Sequence, residues 1–195
     1  RLLGINRGNR MVSLVSVASA ACGFADYVDR HRDTINPHRI GEEIKQGDIV
    51  TTLITCEGGE TITLRLDASL PRFYNREFTV RGTRGMYEMG NNMVYFDGME
   101  EWFDTLRNYT TYQNNAREYE EKYLPQEWRR MTEQGLKSGH GGMDGVEFRA
   151  FFEALRSGGE MPIDVYDMAS WMSITYLSER SIANGGAPQS IPDFT

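Results

Sequence analysis

A chain of 195 residues and 22.3 kDa has room for about one domain, one and a half at most, with a sizeable core. Its 39% hydrophobic, 11% aromatic and 25% charged residues and mean hydropathy of −0.53 are those of an ordinary globular domain, which excludes the disordered and membrane classes. With 21 Lys and Arg against 28 Asp and Glu the net charge is −7, a surface that repels phosphate backbones and anionic lipid and excludes nucleic acid as the default partner.

The first half reads as strands. Residues 11–21 alternate at Val15 and Val17 against Ser16 and Ala18, and residues 49–56 are rich in Ile, Val and Thr. Glu57-Gly58-Gly59-Glu60 is a hairpin loop into a second arm over 61–68. There Ile62, Leu64, Leu66 and Ala68 face one way, expected to be toward the helices, while Thr61, Thr63, Arg65 and Asp67 face the other. Short strands follow at 76–81, 85–89 and 92–96, separated by turn signals at Gly82-Thr83-Arg84 and Gly90-Asn91.

The second half reads as helices. Segments 112–122 and 125–136 are charged and form a solvated excursion over about 100–136. A helix over 143–157 opens with Asp144 and Glu147 at capping-box spacing, carries Phe148, Phe152 and Leu155 on a stripe expected to pack on the sheet, and stops at Gly158-Gly159. The last helix, 165–183, starts at Asp164 with Asp167 three residues on and ends at Asn184-Gly185-Gly186. Its stripe of Val165, Ala169, Met172, Tyr176 and Ile182 predicts the central buried helix. The whole is an α+β domain with a mostly antiparallel open sheet of about five to seven strands and helices on one face.

Few residues could carry chemistry. A dinucleotide site needs a glycine fingerprint opening a helix, and Gly139-His140-Gly141-Gly142-Met143-Asp144-Gly145 fails where Asp144 replaces the third glycine and would oppose the phosphates. His31, His38 and His140 show no metal-ligand spacing, so no metal is expected. Cys22 and Cys56 read as two buried, reduced thiols. Trp128 and Trp171 read as packing residues, and Asn108-Tyr109-Thr110 is a lone glycosylation match of no weight. His140, between glycines just before a helix, reads either as an acid/base station or as an occupant of a mobile loop. Arg72 and Tyr74, after Pro71, read either as hydrogen-bonders of a sugar hydroxyl or acyl oxygen or as a structural corner.

No run approaches the roughly 18 to 20 apolar residues of a membrane span. The chain has no initiator methionine and reads as a piece of a longer one, so any targeting signal would lie upstream and cytoplasmic and exported locations both stay open.

These residues carry a resemblance. The chain resembles the C-terminal domain of the Gfo/Idh/MocA oxidoreductases, and within them glycoside hydrolase family 109, typified by alpha-N-acetylgalactosaminidase. The matching pieces run in order from Ile5-Asn6-Arg7-Gly8-Asn9-Arg10 through Ser69-Leu70-Pro71-Arg72-Phe73-Tyr74 and Gly139-His140-Gly141-Gly142-Met143-Asp144. They continue through Asp164-Val165-Tyr166-Asp167-Met168-Ala169-Ser170-Trp171 and Leu177-Ser178-Glu179-Arg180 to Ile191-Pro192-Asp193-Phe194-Thr195, while 100–136 matches no motif of the family.

The resemblance implies an N-terminal Rossmann domain, absent from this chain, that binds NAD or NADP, so that this chain alone would bind no cofactor and be inactive. It implies a redox-assisted glycosidase: oxidation at the sugar C3 hydroxyl acidifies the C2 proton, the C1 leaving group is eliminated, water adds and the ketone is reduced. The family's pocket tyrosine falls on Tyr74 and its loop histidine on His140. The partners implied are a carbohydrate substrate and a second copy of the chain, meeting through the open sheet face that carries Thr61, Thr63 and Arg65. A sugar or cyclitol dehydrogenase is the alternative activity, and a non-catalytic, sheet-mediated interaction module the contrasting class.

Overall fold

The structure, a computed structural model, describes residues 2–99, 111–133 and 139–195. The chain divides into two compact units, Arg1–Pro71 with Pro162–Thr195, and Arg72–Met161.

In the first unit, strands β1 (Met11–Ala18), β2 (Ile49–Cys56), β3 (Thr61–Asp67) and β7 (Gln189–Ser190) form an antiparallel sheet in the order β3-β2-β1-β7. A short helix α1 (Gly23–Arg30) follows β1, and the long helix α5 (Val165–Ala183) lies over β1 and β7. The hairpin between β2 and β3 is held from outside its own loop: Asn9 accepts from the Gly58 amide at 3.0 Å and donates to Glu60 at 3.0 Å. Met11, Leu14, Ile54, Cys56, Leu177 and Ile191 make the core.

The alternation in β1 is inverted relative to simple hydropathy. Leu14 and Ser16 pair with Ile54 and Thr52 on the face that α5 covers, whereas Val15 and Val17 pair with Leu53 and Thr51 on the open face. Ser16 is buried because hydroxyls meet it there. Its Oγ lies 2.7 Å from Thr52 Oγ1, its amide donates to Ser181 Oγ at 2.9 Å, and Ser178 Oγ lies 3.3 Å from Thr52 Oγ1. Small hydroxyl residues let helix and sheet approach closely while Ser16, Thr52, Ser178 and Ser181 satisfy one another.

The inner face of α5 is therefore polar, with Asp167, Ser170, Ser178 and Ser181 buried beside Leu177, and its apolar stripe faces outward. Met172 is 63% exposed, Val165 and Tyr176 are exposed like it, and Trp171 is about half exposed. This corrects the expectation of a central buried helix: the widest apolar stripe is the uncovered one. The caps are as expected, with Asp164 and Asp167 in a capping box and the Gly186 amide closing on the Ser181 carbonyl at 2.8 Å. Ile62, Leu64 and Leu66 do share the helix-covered face, but α5 lies over β1 rather than β3, which leaves Leu66 51% exposed.

The second unit holds a three-stranded antiparallel meander of β4 (Thr79–Gly82), β5 (Gly85–Glu88) and β6 (Met93–Phe96), so the seven strands among the described residues divide between two sheets. Asn115 completes the edge of β6, accepting from the Val94 amide at 2.8 Å and donating to its carbonyl at 2.9 Å. Helices α2 (Arg117–Tyr123) and α3 (Gln126–Glu133) are split at Leu124 and Pro125, where the pre-proline residue is extended. The rest of the predicted excursion, 100–110 and 134–136, and with it Asn108-Tyr109-Thr110, lies outside the described residues. In α4 (Met143–Ser157), Phe148 and Phe152 stack at 6.3 Å but are exposed, as is Leu155, so this stripe does not bury itself on a sheet.

Candidate functional site

Asp48 is the hub of the first unit's loop end. It is buried and accepts from the amides of Cys22 and Gly23, at 2.8 and 2.9 Å, and from Ser69 Oγ at 2.8 Å. The Cys22 amide first, then the Ser69 hydroxyl, hold its carboxyl below the ordinary value. Asp48 thereby fixes the point at which the chain leaves for Pro71, Arg72 and Tyr74. Gly23 is required in this knot, since a Cβ there would lie 2.7 Å from the Ser69 carbonyl oxygen. Of the two thiols, Cys56 is buried and desolvation raises its pKa, whereas Cys22 is exposed, against the expectation for it.

A second fixed point ties the N-terminal loop to α5. Arg7 donates to both oxygens of Asp167 at 2.8 Å each and to Asp164 at 3.3 Å, and Asn6 donates to Ser170 at 3.0 Å. The Arg7 guanidinium holds the Asp167 carboxyl far below the usual carboxylate range, against the opposing effect of burial. Arg7 and Asp167 each stand in a family motif, but 160 positions separate them and no local pattern gives their pairing.

The predicted site residues lie in the second unit, at the surface. Tyr74 is 78% exposed and accepts from Arg76 Nε at 3.1 Å, so it is not packed on a sheet as a corner. Arg72 reaches the Phe73 carbonyl at 3.5 Å. His140 opens a single 3-10 turn, His140–Gly142, before α4, with a side chain 76% exposed and Nδ1 2.9 Å from Asp144 Oδ1. Tyr74 and His140 make no hydrogen bond or ring contact with each other. The expected capping box at α4 is not formed. The helix starts at Met143 with Gly142 as its cap, so Asp144 is already inside the first turn and turns its carboxylate to His140.

The Gly139 loop does not fit a dinucleotide. The Asp144 carboxylate occupies the space over Gly139, where a Cβ would meet its Oδ2 at 2.4 Å, and an anion stands where the phosphates would need amides. Among the described residues no three His, Cys, Asp or Glu side chains gather as a metal site, and no helix is long and apolar enough to cross a membrane.

The family model for the glycosyl hydrolase 109 C-terminal domain matches residues 1–195. The chain belongs to this family. A glycosyl hydrolase family 109 protein of Stenotrophomonas maltophilia is 39% identical over 98% of the chain and 40% of its own length. An alpha-N-acetylgalactosaminidase of Tannerella forsythia is 36% identical over 99% of the chain and 39% of its own length. The chain thus spans about two fifths of the length of the curated relatives it matches. Among solved structures, levoglucosan dehydrogenase in complex with NADH and L-sorbose superposes with a TM-score of 0.58 at 16% identity, over 94% of this chain and 45% of that one. An oxidoreductase domain protein from Kribbella flavida superposes at 0.52 and 13% identity, over 95% and 45%. The fold of this glycosyl hydrolase 109 domain is that of part of an oxidoreductase, as the α+β reading and the motif resemblance expected.

Proposed function

We propose that this glycosyl hydrolase 109 domain is the substrate-side part of a redox-assisted glycosidase that acts on N-acetylgalactosaminides or related sugars. The observation that carries the reading is the 36% identity, across nearly the whole chain, to a relative named alpha-N-acetylgalactosaminidase. The Gly139 loop is no cradle for a nicotinamide cofactor, so residues outside this chain would hold it, and when bound it would supply the hydride chemistry. His140 hydrogen-bonds the sugar or its acyl group and moves a proton, and Tyr74 and Arg72 orient the same ligand. The exposed polar positions Thr61, Thr63 and Arg65, sharing one sheet face with exposed Val17 and Leu53, support pairing of two copies through that face.

The test uses the full-length protein with an N-acetylgalactosaminide and a plain galactoside. Replacing a positioned acid/base group costs about 10²- to 10⁴-fold in rate, so His140→Ala is expected to fall by that much and Tyr74→Phe by less. Wild-type turnover of His140→Ala on every accepted substrate, with the fold intact, would remove the assignment. Dehydrogenation of a sugar or cyclitol is the second reading, favoured by the shared fold with a dehydrogenase solved with NADH and levoglucosan. Product analysis separates the two: a released sugar marks the hydrolase, a stable keto sugar with stoichiometric NADH the dehydrogenase.

A further inference from the structure

Three features of the His140 loop converge on one side chain. His140 adopts φ +53, a left-handed conformation uncommon outside glycine, and Gly141 and Gly142 follow at +69 and +99. The loop folds back on itself through the Gly142 and Asp144 amides, both donating to the Gly139 carbonyl at 3.2 and 3.4 Å. Gly139 has no Cβ, and one placed there would lie 2.4 Å from Asp144 Oδ2. The backbone thus curls so that the imidazole returns to a carboxylate four residues on, with Nδ1 at 2.9 Å from Oδ1 and 3.1 Å from Oδ2.

An ionised carboxylate can only accept a hydrogen bond. The proton of a neutral His140 therefore sits on Nδ1, and Nε2 is left with its lone pair, because the bond made by one ring nitrogen decides the state of the other. Among the described residues no other hydrogen bond holds this ring, and the side chain is largely in solvent.

We propose that Asp144 is the positioning residue of His140: it fixes the Nδ1–H tautomer and the ring direction, so that Nε2 is the atom presented to the sugar, as an acceptor. This rests on the reading of His140 above. In the step this implies, a hydroxyl or carbon-bound proton of the sugar moves to Nε2 and the electron pair of that bond stays on the sugar. The resulting imidazolium faces the Asp144 carboxylate, and the same proton is returned later in the cycle.

The experiment uses the full-length protein with ¹⁵N-labelled histidine, the His140 signals being assigned by their loss in His140→Gln. At neutral pH the wild type is expected to show the Nδ1–H pattern, and Asp144→Ala to return to the Nε2–H pattern that an unheld imidazole favours. Gly139→Ala, which displaces the carboxylate without removing it, is expected to give the same change and serves if Asp144→Ala does not fold. On an N-acetylgalactosaminide, Asp144→Ala is expected to lower kcat by about 10- to 100-fold with KM nearly unchanged, the range seen when the carboxylate partner of a metal-bound imidazole is removed, and Asp144→Glu to recover part of it. A wild-type Nε2–H pattern overturns the proposal, whatever the activity. Full kcat in Asp144→Ala, where His140→Ala is inactive, overturns it too. If His140→Ala is itself fully active while the Nδ1–H pattern holds, the pair is real but has no catalytic part, and the failure then lies in the functional reading on which the proposal rests.

Discussion

Two helices of this chain begin on the same signature, an Asp with a second acidic residue three positions later, and the two starts fold differently. At α5 the signature closes as a cap: Asp164 accepts from the Asp167 amide at 2.9 Å, and Arg7 grips both carboxylates. At α4 the cap is a bare glycine at φ +99, and Asp144 spends its carboxylate on His140 instead. A capping signature states which hydrogen bonds are on offer, and the neighbours decide which are taken. Arg7 and Asn6 arrive at α5 from the far end of the chain, whereas the glycines before α4 let the backbone turn early and bring a histidine within reach.

The sharpest way to break the comparison is at α5. Asp167→Ala removes a cap and leaves the Arg7 guanidinium without its bidentate partner, and since Arg7 is part-exposed the expected loss is about 2 to 3 kcal/mol in unfolding free energy. Chemical denaturation measures it, and a loss below about 0.5 kcal/mol, the size of an ordinary surface change, would mean that the clamp is idle.

The pH dependence sharpens the same point. The folded-state pKa of Asp167 is depressed, so its contribution is present above the ordinary value of 3.8 and is lost as the pH falls below it. Asp167→Asn is expected to be less stable than wild type at neutral pH and to show a shallower loss of stability below about pH 4. Parallel acid limbs in the two proteins would contradict the assignment.

On α5's inner face, Ser181→Ala leaves the buried Ser16 amide without its acceptor, with an expected cost of about 1 to 2 kcal/mol. The smallest effect belongs to α4. Asp144 and His140 form an exposed pair worth at most about 0.5 kcal/mol, so Asp144→Ala is expected to leave the thermal midpoint almost unmoved. A large drop there would mean that Asp144 holds the helix rather than the histidine.

Local features of this chain were legible in its order of residues, because a strand period, a Gly-containing hairpin, a pre-proline break and a helix stop at Asn184-Gly185-Gly186 are set by neighbours a few positions apart. The place of His140 between glycines at a helix start was legible for the same reason, and so was the family, from motifs spread along the chain, whereas the exposure of Tyr74 was not. Which face of an element is covered was not. Val15 and Val17 look like core beside Ser16, yet Ser16 is the buried one, because α5 brings Ser178 and Ser181 to the sheet and leaves Met172 and Tyr176 outside. A His four residues before an Asp across a helix start was a signal available for the His140–Asp144 pair, but it competes with the capping box on the same Asp. The sequence by itself determined the β2–β3 hairpin, the two long helices and the family, while α1 and β7 were not expected from it and the ends of β1, β4 and α2 fall elsewhere than its pattern placed them. Tertiary structure alone decided burial and pairing, since hydrogen-bond partners such as Arg7 and Asp167 lie 160 positions apart and a polar side chain is buried only where the fold supplies its partner.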